Sequence, residues 1–501
     1  MEMEAKPAKK ISLFSFILII LSAVFGFPNT AVAFDQMGYA SIIWYILAAV
    51  TFFLPTSFMF AEYGSAIKDD TGGVYTWLEK SIGTKWAFVG SFIWICEWVL
   101  ILVNNAPNVM ISISTLIFGD DRTGKLSFFG LNSNESISIL SVLLVLGITW
   151  ISCRGIKSVA LLSSIGGFFI TLITVVFCGA SILLIFINHG QLAQPINGIK
   201  SFIVSPNPAF QSGTSIMSFV VYAIFAYGGI ESAGGIIDKI KNPAKNFPRG
   251  IIIAAILMTT LYVVSIFLCG FSINWSQVMG KSNVNLQNIM FILMYNVGDF
   301  FGKSIGMAPS AAATLGYGFS RFTGFSNLIG TLGSMTIIVY SPIKAFITGS
   351  PAKFWPKRMV SLNKHQMPAF AMWMQAAVIA AILLFTSFGG DDAQKFYTVL
   401  TDMMNISNAC PYLFLVFAFP FFKKRRDLDR PFVFFKNYKF MMTTVVIVLL
   451  VLSFGIIFNL IQPLIVHDYM TAFWTFIGPI FFGGVAYIFY LYSMHKENKL
   501  N

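Results

Sequence analysis

The chain has 501 residues, 56% of them hydrophobic and only 11% charged, against roughly 25% charged in an ordinary globular domain. A water-soluble core cannot absorb that much apolar surface, which excludes soluble enzymes and cytosolic binding modules. The net charge of +12 is spread over many short segments instead of one face, which argues for contact with anionic membrane lipid and against a nucleic-acid partner.

Apolar runs near the 20 or so residues that cross a bilayer recur along the chain. Twelve spans are expected, at 12–33, 41–66, 86–116, 135–153, 159–187, 213–237, 250–272, 310–340, 369–388, 396–422, 440–461 and 470–493. The first is expected to stay in the membrane, because Pro28, Asn29 and Asp35 follow its apolar stretch without a small-residue cleavage site. That span is interrupted at Val24-Phe25-Gly26-Phe27-Pro28-Asn29, where Pro lacks an N–H and Gly tolerates unwinding.

The second span ends in a loop carrying Glu62 and Asp69-Asp70, acids expected to lock against basic loops on the same face. The third contains Glu97, 11 residues beyond Trp86 and hence about 16 Å along a helix that rises 1.5 Å per residue. This places the carboxyl near the bilayer midplane, flanked by Trp94 and Trp98. The sixth span is interrupted at Ala226-Tyr227-Gly228-Gly229-Ile230-Glu231, and Glu231 is expected to cap the freed backbone. The eighth contains Arg321 and the tenth Asp402, both expected in the outer half. Charges inside spans cost about 2.5–3.5 kcal/mol each on insertion scales and point to function by default. The bland alternatives are an ion pair between Arg321 and an acid, and a packed protonated Glu97.

Interspan segments such as 188–212, 273–309 and 341–368 are too short to fold alone. The cysteines Cys96, Cys153, Cys178, Cys269 and Cys410 have no C-x-x-C spacing and read as small apolar residues, so neither a disulfide framework nor a metal site is indicated. No histidine pair has metal-ligand spacing and no phosphate-binding Gly loop occurs, so no cofactor is expected.

The basic residues test this topology. With both termini cytoplasmic, 26 of the 33 Lys and Arg fall in seven inner segments and six in outer ones, the asymmetry of the positive-inside rule. The interrupted spans one and six are the first members of two five-helix units, 12–187 and 213–422, the pattern of an inverted repeat whose binding site lies at the interruptions. The last two spans, 440–493, follow that repeat, and cytoplasmic tails are expected at 1–11 and 494–501. Half-helix N–H groups suit a carboxylate and freed carbonyls suit an ammonium, and an α-amino acid carries both. Close helix packing alone would also explain the glycines.

Several stretches carry a family resemblance. They are Leu54-Pro55, Ala61-Glu62-Tyr63-Gly64 and Thr71-Gly72-Gly73-Val74-Tyr75-Thr76-Trp77; then Phe225-Ala226-Tyr227-Gly228-Gly229-Ile230-Glu231 running into Asp238-Lys239-Ile240-Lys241-Asn242-Pro243 and Pro248-Arg249-Gly250; then Phe354-Trp355-Pro356, Leu362 to Pro368, and Arg425 to Phe432. The chain resembles the amino acid-polyamine-organocation superfamily over nearly its whole length, most of all the glutamate/GABA antiporter group and its YjeM-type members. That resemblance implies an all-α membrane protein with a LeuT-like 5+5 inverted repeat, alternating access and a central site between spans one, three, six, eight and ten. It also implies that Phe225 gates the occluded state and that Gly26 and Gly229 contact the substrate's amino and carboxylate ends. Val24-Phe25-Gly26-Phe27 departs from the Gly-Ser/Ala-Gly run of many relatives.

The expected substrate contacts are therefore Val24, Phe25 and Gly26 at the first interruption, Phe225, Tyr227, Gly228 and Gly229 at the second, and the charges Glu97, Arg321 and Asp402. The expected function is exchange of an amino acid for a related amine or amino acid across the cell membrane. Proton-coupled uptake through Glu97 and a non-transporting sensor are the rivals. Two acids against one Arg would favour a cationic solute.

Overall fold

The computed structural model describes residues 10–498 apart from 69, 71, 282–283, 391–394, 396–398, 401–402 and 404–408. Lipid offers no partner for backbone polar groups, so an apolar chain must close its hydrogen bonds inside helices, and helices make up nearly all of it. Ten of them, among the described residues, are long and apolar enough to cross a membrane.

The first predicted span forms two helices, α1 (Leu13–Val24) and α2 (Phe27–Met37). Helix α3 (Ser41–Ala48) passes through a π-helical turn at Ala49–Phe53 into α4 (Leu54–Ala66), followed by the short α5 (Val74–Ile82). Then come α6 (Thr84–Phe118), α7 (Ser133–Ser152) and α8 (Ile156–Ile187). Asn132 and Glu135 form a reciprocal capping box that sets the start of α7. Helix α9 (Gly213–Phe225) gives way to a 3-10 stretch, Ile230–Lys239, and then to α10 (Pro243–Ser272).

Helices α11 (Trp275–Val278) and α12 (Ile289–Ser304) occupy the 273–309 segment, which the apolar pattern leaves as a loop. The remainder are α13 (Pro309–Ile343), which ends in a π-helical turn at Lys344–Thr348, α14 (Lys357–Val360), α15 (Ala369–Phe388), α16 (Cys410–Lys424), α17 (Tyr438–Ile465) and α18 (Tyr469–Asn498). Asp402 and Asp69 lie outside the described residues.

Helix α13 sits at the centre, against α6, α8 and α12, while α1 packs on α8, α10 and α13. Small residues permit these approaches: a Cβ on Gly167 would lie 1.8 Å from the Leu18 carbonyl oxygen, and one on Gly166 2.9 Å from Gly333 Cα.

Contacts between segments distant in sequence tie loops together at the two ends of the helices. At one end Ile11 bridges Ile240, Asp238 pairs with Lys344, the Arg425 guanidinium donates to the Lys80 carbonyl, and Asn363 donates to the Cys153 carbonyl. There too Glu62, fully buried, accepts from Lys423 Nζ at 2.8 Å and from the Phe434 and Phe435 N–H groups at 2.8 and 2.7 Å. This is the loop-locking role its position suggested, and Asp70 pairs with Lys80 in the same way. At the other end Tyr39 reaches the Gln194 carbonyl, Trp275 the Asp35 carbonyl and Ser320 the Gly119 carbonyl.

Candidate functional site

Both interruptions occur, and each is closed by a tyrosine hydroxyl from a distant helix. At the first, Gly26 is extended (φ −121°) and its N–H has no partner in helix α1 or α2. It donates to Tyr262 Oη at 3.1 Å; the same oxygen accepts from Asn29 Nδ2 at 3.1 Å and faces the Ala226 carbonyl at 3.4 Å. One hydroxyl on α10 thus ties the two interruptions together. Tyr222 donates to Asn29 Oδ1 at 2.9 Å and extends the chain of bonds.

At the second interruption Gly229 takes a left-handed conformation, φ +110°, that side chains rarely adopt. Its N–H donates to Tyr412 Oη at 2.6 Å. Tyr412 in turn donates to the Glu231 carboxylate, which also accepts from Trp94 Nε1 at 3.1 Å. Glu231 therefore supports the freed backbone through a tyrosine.

Between the interruptions lies a cavity of about 390 Å³ lined from α1, α2, α6, α9 and α13. Of the expected contacts, Val24, Glu97, Phe225, Gly228 and Gly229 line it. Phe25, Gly26 and Tyr227 do not. Phe25 is 2% exposed and packs on the Tyr262 ring, centroids 4.8 Å apart, and Tyr227 is fully buried and stacks on Phe53 at 4.6 Å. An unpaired N–H in a low-dielectric interior is costly, so tyrosines cap the glycine N–H groups and the neighbouring aromatic rings fill the space behind. Arg321 is also outside the cavity. Its neighbours Ser320, Thr323 and Gly324 form the buried face of α13, and one residue along a helix turns Arg321 away to an exposed position.

The charge in the cavity is Glu97, 6% exposed. Among the described residues Glu97 Oε2 and the adjacent Trp98 Nε1 have no hydrogen-bond partner. Glu97 and Trp98 thus bring a carboxyl and an indole to the cavity wall, with Asn29, Asn105, Tyr222 and Ser334 supplying further polar groups and no Lys, Arg or His among the described lining residues. Asn105 was missed in the sequence, yet 97, 101 and 105 share one face of α6 at helical spacing. Asn29 lies in the first interruption but was not among the expected contacts, and Tyr222, brought in by folding, left no such signal.

The amino acid permease family model matches residues 11–486. The chain belongs to the amino acid permease family. The permease is 43% identical to the inner membrane transporter YjeM of Salmonella typhimurium over 483 residues, 96% of each chain. More distant relatives are an aspartate/glutamate permease, AcaP, of Lactococcus lactis (21% identical, 82% of this chain and 79% of the relative) and a glutamate/gamma-aminobutyrate antiporter of the same species (22%, 85% and 78%).

In the permease, Tyr412 holds the second interruption from both sides, so its hydroxyl has a measurable role. Tyr412→Phe leaves the Gly229 N–H and one Glu231 oxygen without that partner, at a cost of about 1–3 kcal/mol per unsatisfied group. A lower melting temperature in detergent and weaker solute binding are expected; an unchanged protein would detach Tyr412 from the site.

Proposed function

We propose that this permease is a secondary active transporter of the cell membrane, exchanging an amino acid for a related amine or amino acid. In this reading it crosses the membrane twelve times, 12–187 and 213–422 form the two inverted repeats, and both termini face the cytoplasm with the basic loops against anionic lipid. The observation that carries it is the buried carboxyl of Glu97, with one oxygen lacking any hydrogen-bond partner, in the wall of a cavity bounded by both helix interruptions. A buried carboxylate without a partner is costly, and a solute ammonium supplies one. With no basic residue in the described lining, an anionic side chain would find repulsion there unless Glu97 were protonated. The solute pair therefore includes an amine or a cationic amino acid, of the histidine and histamine type.

Proteoliposomes loaded with a panel of amino acids and amines test this. Flux that requires a countersubstrate supports exchange. Flux driven by a pH gradient alone supports the second reading, proton-coupled symport, which the same Glu97 oxygen favours. Binding without flux would make the protein a sensor.

Phe225, half-buried at the cavity wall and in reach of Gly455 on α17, is the closing element in this scheme. Phe225→Ala is expected to slow exchange by roughly tenfold while equilibrium binding changes less, because its contacts form mainly in the occluded state. Equal losses in both would reduce it to a pocket wall.

A further inference from the structure

Below the central cavity, on the side of the basic loops, a second void shares Ala23 and Val24 with it and continues between Ile19, Ile230, Ala233 and Ile337. It has no room for a water-sized sphere. This closed seam lies between α1, the 3-10 stretch and α13 and adjoins the cavity at Ala23 and Val24. Its far end is sealed by bonds that cross from the 3-10 stretch to α13 and the π-helical turn after it. Ser341 Oγ donates to the Ser232 carbonyl. Lys344 Nζ pairs with Asp238 and donates to the Gly235 carbonyl at 3.1 Å. A Cβ on Gly235 would come within 2.2 Å of Ser341 Oγ, so the contact is shut to the limit of sterics.

Lys344 is only 5% exposed. A lysine ammonium is buried at that cost only when paired, and its partner Asp238 sits on the opposite wall of the seam. The ten-residue 3-10 stretch, Ile230–Lys239, is far longer than the 3–4 residues usual for that helix type. Its backbone therefore depends on such external bonds to keep its geometry.

We propose that Lys344, acting through Asp238 and the Gly235 carbonyl, is the latch that keeps the solute path closed on the basic face, and that its release opens the seam between α1, the 3-10 stretch and α13. Lys344 is a positioning residue in this role and touches no solute. The latch rests on the transport reading, but its test does not require flux. In a chain whose five cysteines are replaced by alanine, Ala233→Cys places a thiol in the seam. Its reaction with a charged, membrane-impermeant maleimide is then followed in inverted and right-side-out vesicles.

With Lys344 present, labelling from the basic face is expected to be slow. Lys344→Met and Asp238→Asn are each expected to raise it by about tenfold or more, a shift of population toward the open state. The charge swap Lys344→Asp with Asp238→Lys is expected to return it toward the starting rate. Unchanged labelling in both single variants, or rapid labelling with Lys344 in place, would overturn the latch. So would failure of both single variants to reach the membrane while the swapped pair does, since the pair would then serve folding alone. If the transport reading fails instead, countersubstrate produces no flux while the labelling pattern stands.

Discussion

Glu97→Gln is expected to lower uptake of a labelled amine by roughly 100-fold or more. Removing one partner of a buried charge pair costs about 3–5 kcal/mol, and each 1.4 kcal/mol is about a factor of ten in affinity. The glutamine keeps the volume of the side chain, but it replaces the carboxylate at the cavity wall with a neutral amide that cannot pair an ammonium. Glu97→Asp retains the charge, set back by one methylene, and is expected to lose less. Uptake of labelled amine and labelled glutamate, measured across pH in both variants, checks this. An unaffected glutamine variant, or fast glutamate uptake at neutral pH with no amine uptake, would return Glu97 to a packed structural carboxyl.

Gly229→Leu is expected to abolish solute binding, again by roughly 100-fold or more, while the protein still folds and inserts. Two effects are superposed. The φ of +110° makes any side chain strained there, by about 1–3 kcal/mol. A Cβ itself has space, its nearest neighbours being the Ala23 carbonyl, Trp98 and Val24, each at 3.6 Å. The rest of a leucine must extend from there toward the cavity that Val24 and Trp98 line. Gly229→Ala separates the contributions, because it introduces the strain without the bulk. It should lower the melting temperature by a similar amount as leucine and weaken binding by no more than about tenfold. Unchanged affinity in the leucine variant would remove the site from the second interruption.

The glycines that mark both interruptions are readable because only their residue type permits the local geometry. Gly229 does adopt the left-handed conformation, and Pro28 sits in the first turn of α2, where its missing N–H costs nothing. Glu97 was readable for a similar reason, since an acid in an apolar run is expensive wherever the helix goes. Arg321 obeys the same insertion cost, yet it is exposed and outside the cavity. Cost flags a residue without saying which way its helix face turns.

By itself, the sequence determined the membrane class, the run of apolar helices, the two interruptions and the family motifs. Each depends on local composition, on steric preferences of single residues, or on the price of burying charge. Tertiary structure alone decided which side of each interruption faces the cavity. Val24 and Phe225 turn toward it, while Phe25 and Tyr227 pack behind. It also brought Tyr262 to Gly26 across 236 positions and Tyr412 to Gly229 across 183. Helical periodicity lapses where a helix is broken, so side-chain direction there is set by the helices packed around it. The hydroxyl that satisfies a freed N–H can come from any helix that reaches it.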